Sequence, residues 1–334
     1  MLDYLIPDLC DIVYSYIPFN ISDIHELLDA KNTTTLKWVY NNHHNFYLYS
    51  HNRMFIGGIH ISKLKRTDKY LSNIILLYSS QINFYQGIEF AIKYKADPNI
   101  LDDNKNTALI LAAYRGYSKC VKLLLEYKAD PNILDDNKNT ALILAAYYEH
   151  ADCIKLLLEH KADPNIQNND GKTALILSAR YEHTKCVKLL LEYKADPNIL
   201  DNNKNTALIL AAYHEHADCI KLLLEHKADP NVQNNYGNTA LYWSSRYGYL
   251  NCIKSLINHK ADPNIKNNNG NTALIHASRH SHPNCVMFLL EYKANPNIKN
   301  NNDHTALYLA IYYRNKTCVK LILKYKKYSN LCKY

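Results

Sequence analysis

The side chains best suited to metal chemistry are four His/Cys pairs, His150/Cys153, His183/Cys186, His216/Cys219 and His282/Cys285, each three residues apart. A zinc site would need four such ligands converging on one point. The cysteines follow a different rule, however. Cys120, Cys153, Cys186, Cys219, Cys252, Cys285 and Cys318 each stand thirteen residues after a threonine of a repeated unit, which marks a core position. No metal or cofactor is expected. Nor does a catalytic signature occur: there is no phosphate loop, no Gly-x-Ser-x-Gly and no His-Glu-x-x-His. Only eight glycines are available, and Gly57-Gly58 is too little to cradle a phosphate. The expectation is a protein that is not an enzyme.

The unit that positions these residues is a Thr-Ala-Leu step at Thr107, Thr140, Thr173, Thr206, Thr239, Thr272 and Thr305, a spacing of 33 residues without insertion or deletion. A fixed period of this size implies a stacked array in which each unit contacts its neighbours. Equivalent helices of adjacent units should lie about 8–10 Å apart, beyond the Cα separation of about 7 Å that a disulfide tolerates. Seven free thiols then indicate a reducing compartment. The N-terminus MLDYLIPDLCDIV lacks a basic segment and places Asp3, Asp8 and Asp11 where a signal peptide is apolar. No stretch approaches the roughly 20 apolar residues that span a bilayer. The chain is therefore expected to be intracellular and cytoplasmic, without a membrane partner. Its net charge of +8 is mild, and Lys, Asn, Ile and Tyr all have A/T-rich codons. Charge alone argues weakly for nucleic acid.

Residues 1–67 lack the repeat. Leu9, Ile12, Val13, Tyr16 and Ile17 fall on one helical face that Pro18 ends, and Ser22 can cap a second helix carrying Ile24, Leu27 and Leu28. The runs Phe46–Tyr49 and Met54–Ile61, separated by residues 50–53, are compatible with a hairpin. Within residues 68–101, positions 69–101 have the length of one repeat but place Ile74 at the threonine position and Gly87 at the cysteine position, as expected of a degenerate capping repeat. From residue 102 each unit reads as a turn rich in Asn and Asp, a threonine-capped first helix, a break, and a second helix, with Pro131 and its counterparts preventing a restart. Cys120, Val121, Leu124 and Leu125 are at core spacing, and Lys122 and Glu126 face outward.

These letters resemble the ankyrin repeat: a turn, Thr-Ala-Leu with Ala-Ala after it, a break, Val and Leu-Leu, then Ala-Asp before Asn. The resemblance covers residues 102–332 as seven units. It implies an all-α fold, a solenoid of stacked helix-turn-helix units with projecting hairpin turns. It places the cysteine at a buried aliphatic position and the histidines of the His/Cys pairs at the break between helices. Alanine replaces the family's proline, and Ile110, Ile143, Ile176, Ile209 and Ile275, or Tyr242 and Tyr308, replace its histidine, so the usual Thr–His bond is expected to be missing. Lys128, Lys161, Lys194, Lys227, Lys260 and Lys293 stand where the family has glycine. If the left-handed geometry is kept, each costs on the order of 1 kcal/mol. The lysine row from Lys95 to Lys326, accompanied by Asp97, Asp130, Asp163, Asp196, Asp229 and Asp262, reads as a solvated, locally compensated ridge. The composition and Asn-laden turns also resemble the expanded ankyrin families of large DNA viruses that infect amoebae.

The resemblance implies that a partner is met by the hairpin tips and by the two positions after the Ala-Ala step. Those pairs are Tyr114/Arg115, Tyr147/Tyr148, Arg180/Tyr181, Tyr213/His214, Arg246/Tyr247, Arg279/His280 and Tyr312/Tyr313. Tyr and Arg are enriched in binding hot spots because they combine contact area with polar handles. A protein-binding scaffold using this concave face, monomeric and without affinity for nucleic acid, is the leading expectation. Against it stands strong internal duplication: Tyr94–Tyr114 and Tyr127–Tyr147 are identical, leaving individual repeats little opportunity to specialise. The segment Leu5–Pro18 resembles the first helix of an F-box, although it lacks an acidic residue two places after Pro7. It gives an alternative: an adaptor that recruits a ubiquitin-ligase subunit through its N-terminus and a target through the repeats.

Overall fold

The computed structural model describes residues 55–56, 59–60 and 69–331. The F-box-like segment and the two N-terminal helices expected from sequence lie outside the described residues. Two short antiparallel strands, β1 (Phe55–Ile56) and β2 (Ile59–His60), pair Phe55 with His60 and Ile56 with Ile59. Both fall within the second of the two apolar runs. The first run, Phe46–Tyr49, lies outside the described residues.

The chain forms two compact units, one ending at Ile100 and the other beginning at Leu101. In the first, α1 (Lys69–Gln81) packs on α2 (Tyr85–Lys93). Without a threonine at Ile74, α1 runs through the position where later repeats start their first helix, and reaches 13 residues.

In the second unit each repeat supplies two helices. The first helices are α3 (Ala108–Tyr114), α5 (Ala141–Tyr147), α7 (Ala174–Arg180), α9 (Ala207–Tyr213), α11 (Ala240–Tyr247), α13 (Ala273–Arg279) and α15 (Ala306–Tyr312). The second are α4 (Ser118–Glu126), α6 (Ala151–Glu159), α8 (Thr184–Glu192), α10 (Ala217–Glu225), α12 (Leu250–Asn258), α14 (Pro283–Glu291) and α16 (Lys316–Leu331). Every first helix packs on the first helices of adjacent repeats, and the second helices stack likewise. Small residues make the close approach feasible: Ala108, Ala112 and Ala113 are wholly buried, as are their counterparts Ala207, Ala211 and Ala212. Between the layers Leu109, Cys120, Val121 and Leu124 are buried, each large apolar side chain contributing about 1.5–3 kcal/mol. All seven repeat cysteines are buried free thiols, so the core assignment holds. Burial pushes those of Cys153 and Cys186 up to about 12. Among the described residues no helix is long and apolar enough to cross a membrane.

Local chemistry fixes each helix boundary. The seven threonine hydroxyls accept from the backbone N–H three residues on, from Ile110 at 3.1 Å in the first repeat to Tyr308 at 3.2 Å in the last. Such a cap is worth about 1 kcal/mol. The lysines in the family's glycine position do keep the left-handed backbone, with φ between 64° at Lys194 and 68° at Lys260. Their companion aspartates are used differently from the expected charge compensation. Asp163, Asp196, Asp229 and Asp262 each accept from the backbone N–H two residues on, tightening the turn.

The joints between repeats are stitched by asparagine. Asn132, Asn165, Asn198, Asn231 and Asn264 each use Oδ1 to accept the backbone N–H of the residue 31 places later, at 2.7–2.8 Å. Successive turns are also joined directly, as in Asn235 N–H to the Asn203 carbonyl at 3.0 Å and Asn268 N–H to the Tyr236 carbonyl at 3.1 Å. Each N–H and C=O in these turns that pairs with the next repeat is one fewer left to water.

Candidate functional site

Each first helix begins at its capping threonine and ends against a left-handed residue: Gly116, Glu149, Glu182, Glu215, Gly248, Ser281 or Arg314, with φ from 58° to 82°. This short length leaves the last residue of each helix and the one beyond it at the same end of every repeat. Tyr114, Arg115, Tyr147, Tyr148, Tyr181, Tyr213, His214, Tyr247, Arg279, His280, Tyr312 and Tyr313 are exposed, and Arg180 and Arg246 are half-buried. All fourteen sequence-selected residues therefore reach the surface, and most touch one another.

The contact follows an offset of 34 residues, one more than the period. The first member of one pair meets the second member of the next: Tyr114 with Tyr148 at 4.8 Å, Tyr147 with Tyr181 at 5.2 Å and Tyr213 with Tyr247 at 5.6 Å, all edge to face. A hydrogen bond with Tyr114 and burial push the Tyr148 phenol up to about 12, and a bond with Tyr181 raises Tyr147. Each of these phenols is oriented by a neighbouring ring. Where arginine takes the first position, Arg180 faces His214 and Arg246 faces His280. Burial first, then nearby imidazole and guanidinium charge, lower both histidines. At the last joint the Arg279 guanidinium lies 5.1 Å from the Tyr313 ring centre, a cation–π contact.

Four side chains in, beneath or near the row were not singled out as contacts from the sequence. In the fifth repeat the helix reads Ala-Leu-Tyr-Trp-Ser-Ser-Arg-Tyr in place of Ala-Leu-Ile-Leu-Ala-Ala-Tyr. Trp243 sits 4.8 Å from Tyr213, and the Arg246 guanidinium lies 5.7 Å from the Trp243 ring and 5.9 Å from Tyr247. Tyr242 is buried beneath, 4.5 Å from the His276 ring. His276 is 4% exposed, and neither ring nitrogen has a hydrogen-bond partner. Burial holds it neutral, with its pKa lowered to about 3. Tyr236, at the tip of the fifth turn, is 69% exposed. The available signal was the departure of these repeats from their near-identical predecessors.

The histidines of the His/Cys pairs have a structural use. His183 and His216 place Nδ1 2.9 Å from the carbonyls of Ala146 and Ala179, in the preceding repeat. His150 and His282 use Nε2 instead, toward Tyr114 and Arg246. The choice tracks the preceding repeat: His150 and His282 lie over Gly116 and Gly248, where a Cβ would stand 2.6 and 2.5 Å from the ring. His183 and His216 follow Glu149 and Glu182. These imidazoles carry the first-helix ends, and hence the aromatic row, from one repeat to the next. Meanwhile their cysteine neighbours point into the core.

The ankyrin-repeat model, described as three-copy ankyrin repeats, matches in overlapping windows over residues 75–168, 119–201, 161–234, 194–267 and 256–332. No curated protein is similar enough to the chain to be matched to it. Those windows take in the degenerate repeat from residue 75 and far more than half of the chain, and the family they describe consists of protein–protein interaction modules. With its threonine-capped short first helices, left-handed breaks and 33-residue stacking, this chain belongs to the ankyrin-repeat family.

Proposed function

We propose that the protein is a non-enzymatic scaffold that binds a protein partner along the row of Tyr, Arg and His at the ends of the first helices. The carrying observation is the 34-residue interlock. Exposed phenols and guanidinium groups held in place by ring contacts and hydrogen bonds lose little rotamer freedom on binding, which lowers the cost of association. The test is affinity capture from the native host with the full chain and with Tyr147, Arg180, Tyr213 and Arg246 replaced by Ala. Partners held by the native chain should be lost from the variant. Recovery of the same partners would overturn the reading.

A second reading, the ligase adaptor, rests on the sequence Leu5–Pro18. It predicts that a chain shortened to begin at Thr67 loses ligase subunits while keeping its other partners. Absence of such subunits from both captures ends it.

A further inference from the structure

The net charge of +8 is confined to the last third of the chain. Residues 102–229 hold nineteen acidic residues and sixteen Lys and Arg, whereas residues 230–334 hold only Asp262, Glu291 and Asp303 against fourteen Lys and Arg. The contrast reaches the binding row itself. At the left-handed position closing the first helix, repeats two to four carry Glu149, Glu182 and Glu215, and repeats five to seven carry Gly248, Ser281 and Arg314. Arg180 thus has Glu182 two residues away, and Glu182 also lies 3.9 Å from His216. Among the described residues no arginine of the row forms an ion pair, and what sets Arg246 and Arg279 apart from Arg180 is that Gly248 and Ser281 stand in the place of Glu182.

These guanidinium groups are nonetheless set in place. Arg246 lies beside the stacked rings of Trp243 and Tyr247, and Arg279 lies on Tyr313. Both planar forks are suited to bidentate recognition of a carboxylate.

We propose that repeats five to seven bind an acidic, extended segment of the partner protein, with carboxylates on Arg246 and Arg279 and aromatic or proline side chains on Trp243 and Tyr247. The inference rests on the binding-face reading and narrows it. Arg246 and Arg279 occupy equivalent places in adjacent repeats, and neighbouring helices pack about 8–10 Å apart. A polyproline II segment rises about 9 Å per three-residue turn. Carboxylates three residues apart on such a segment would meet successive arginines.

The test selects a phage-displayed random 12-residue peptide library on the full chain, then measures the selected peptides by fluorescence polarisation. Enriched peptides should be acidic, with Asp or Glu three residues apart. Arg246→Ala/Arg279→Ala should weaken them about tenfold or more, a larger loss than Arg115→Ala/Arg180→Ala gives. Ser281→Glu supplies a variant whose folding is safe, because Glu149, Glu182 and Glu215 already occupy that left-handed position. It should weaken the acidic peptides about fivefold. Peptides that depend on Arg115 and Arg180 but not on Arg246 and Arg279 would overturn this assignment while leaving a binding face. Selection of no peptide would overturn both readings. Displacement of the peptides by oligo(dT) at lower concentration than by an acidic competitor would overturn the proposal in favour of nucleic acid.

Discussion

The repeats of residues 102–229 and those of residues 230–332 share one backbone plan but are joined differently. Five residues before each capping threonine stands an acidic residue or its amide. Asp102, Asp135 and Asp201 spend both carboxylate oxygens inside their own turn, Oδ2 taking the Nδ2–H of Asn106, Asn139 or Asn205. Where the residue is asparagine, Oδ1 makes the same turn bonds and Nδ2 is free to donate backward into the preceding repeat. Asn234 reaches Asn205, Asn267 reaches Asn238 and Asn300 reaches Asn271, each at 2.9 Å. This side-chain bond therefore crosses every joint from the fourth repeat to the seventh, whereas before it only Asn168 to Asn139 adds it to the Oδ1 bonds that the earlier joints already have. One substitution, Asp to Asn, thus adds an inter-repeat bond and deletes a negative charge. The two properties that set the C-terminal repeats apart arise at different places, the extra joint bond from asparagine in the turns and the bare arginines from Gly248, Ser281 and Arg314 in place of glutamate.

The sharpest test of that comparison exchanges the two residues. Asn267→Asp would set a carboxylate oxygen, in a side chain 8% exposed, against the Asn238 Oδ1 acceptor. A loss of about 2–3 kcal/mol is expected, since a buried acceptor loses its donor and a charge is buried with it. Asp201→Asn in the other half, where Lys172 occupies the corresponding place across the joint, should cost less than about 1 kcal/mol. Urea unfolding of both variants measures the difference. Equal losses would break the distinction between the halves.

The second test is acidity. His276 stands where earlier repeats carry Leu111, Leu144, Leu177 and Leu210. Burial lowers its folded pKa to about 3 from a usual 6.5. Between those values the unfolded chain takes up a proton that the folded chain refuses, so stability is complete above about pH 6.5 and falls as pH drops toward 3. The slope contributed approaches about 1.4 kcal/mol per pH unit. His276→Leu, which makes this repeat resemble its predecessors, should remove that part of the acid sensitivity. Unfolding midpoints of the two proteins at pH 7 and pH 5 give the comparison, and parallel shifts would show that His276 does not titrate this way.

How much of this was legible in the sequence depends on the reach of each interaction. Threonine caps, left-handed lysines and core cysteines act within a few residues of themselves, so the 33-residue period displays them directly. The bonds across joints span offsets from 29 to 37 residues, some at the period itself, as in Asn202 Nδ2 to the Asn169 carbonyl, and others at 29, 31, 34, 36 and 37. They depend on how one turn or helix end lies against the next, and a strict repeat of 33 conceals them. The His150 and His183 rings are a case in point. Both occupy the same place in the period, yet they use different nitrogens because Gly116 precedes one and Glu149 the other. The exposed row was legible as a list of residues, but its interlock and the Trp243–His276 cluster came only with the packing.

The smallest expected effect concerns a feature that the two halves share. Lys194 and Lys260 both sit after a second helix with φ of 64° and 68°. An L-residue pays about 1–2 kcal/mol for that conformation. Glycine removes the strain, but it loses about 0.4–1 kcal/mol through its freer unfolded chain, and the lysine charge at a helix C-terminus is given up as well. Lys194→Gly and Lys260→Gly should therefore each raise the urea-unfolding free energy by less than about 1 kcal/mol, and by equal amounts. The equality matters more than the size. The flanking backbone bonds repeat closely, with Lys194 N–H on the Leu191 carbonyl and Lys260 N–H on the Ile257 carbonyl, both at 3.0 Å. A gain confined to one half would mean that the difference between the halves extends beyond their asparagine joints and charge into the backbone itself.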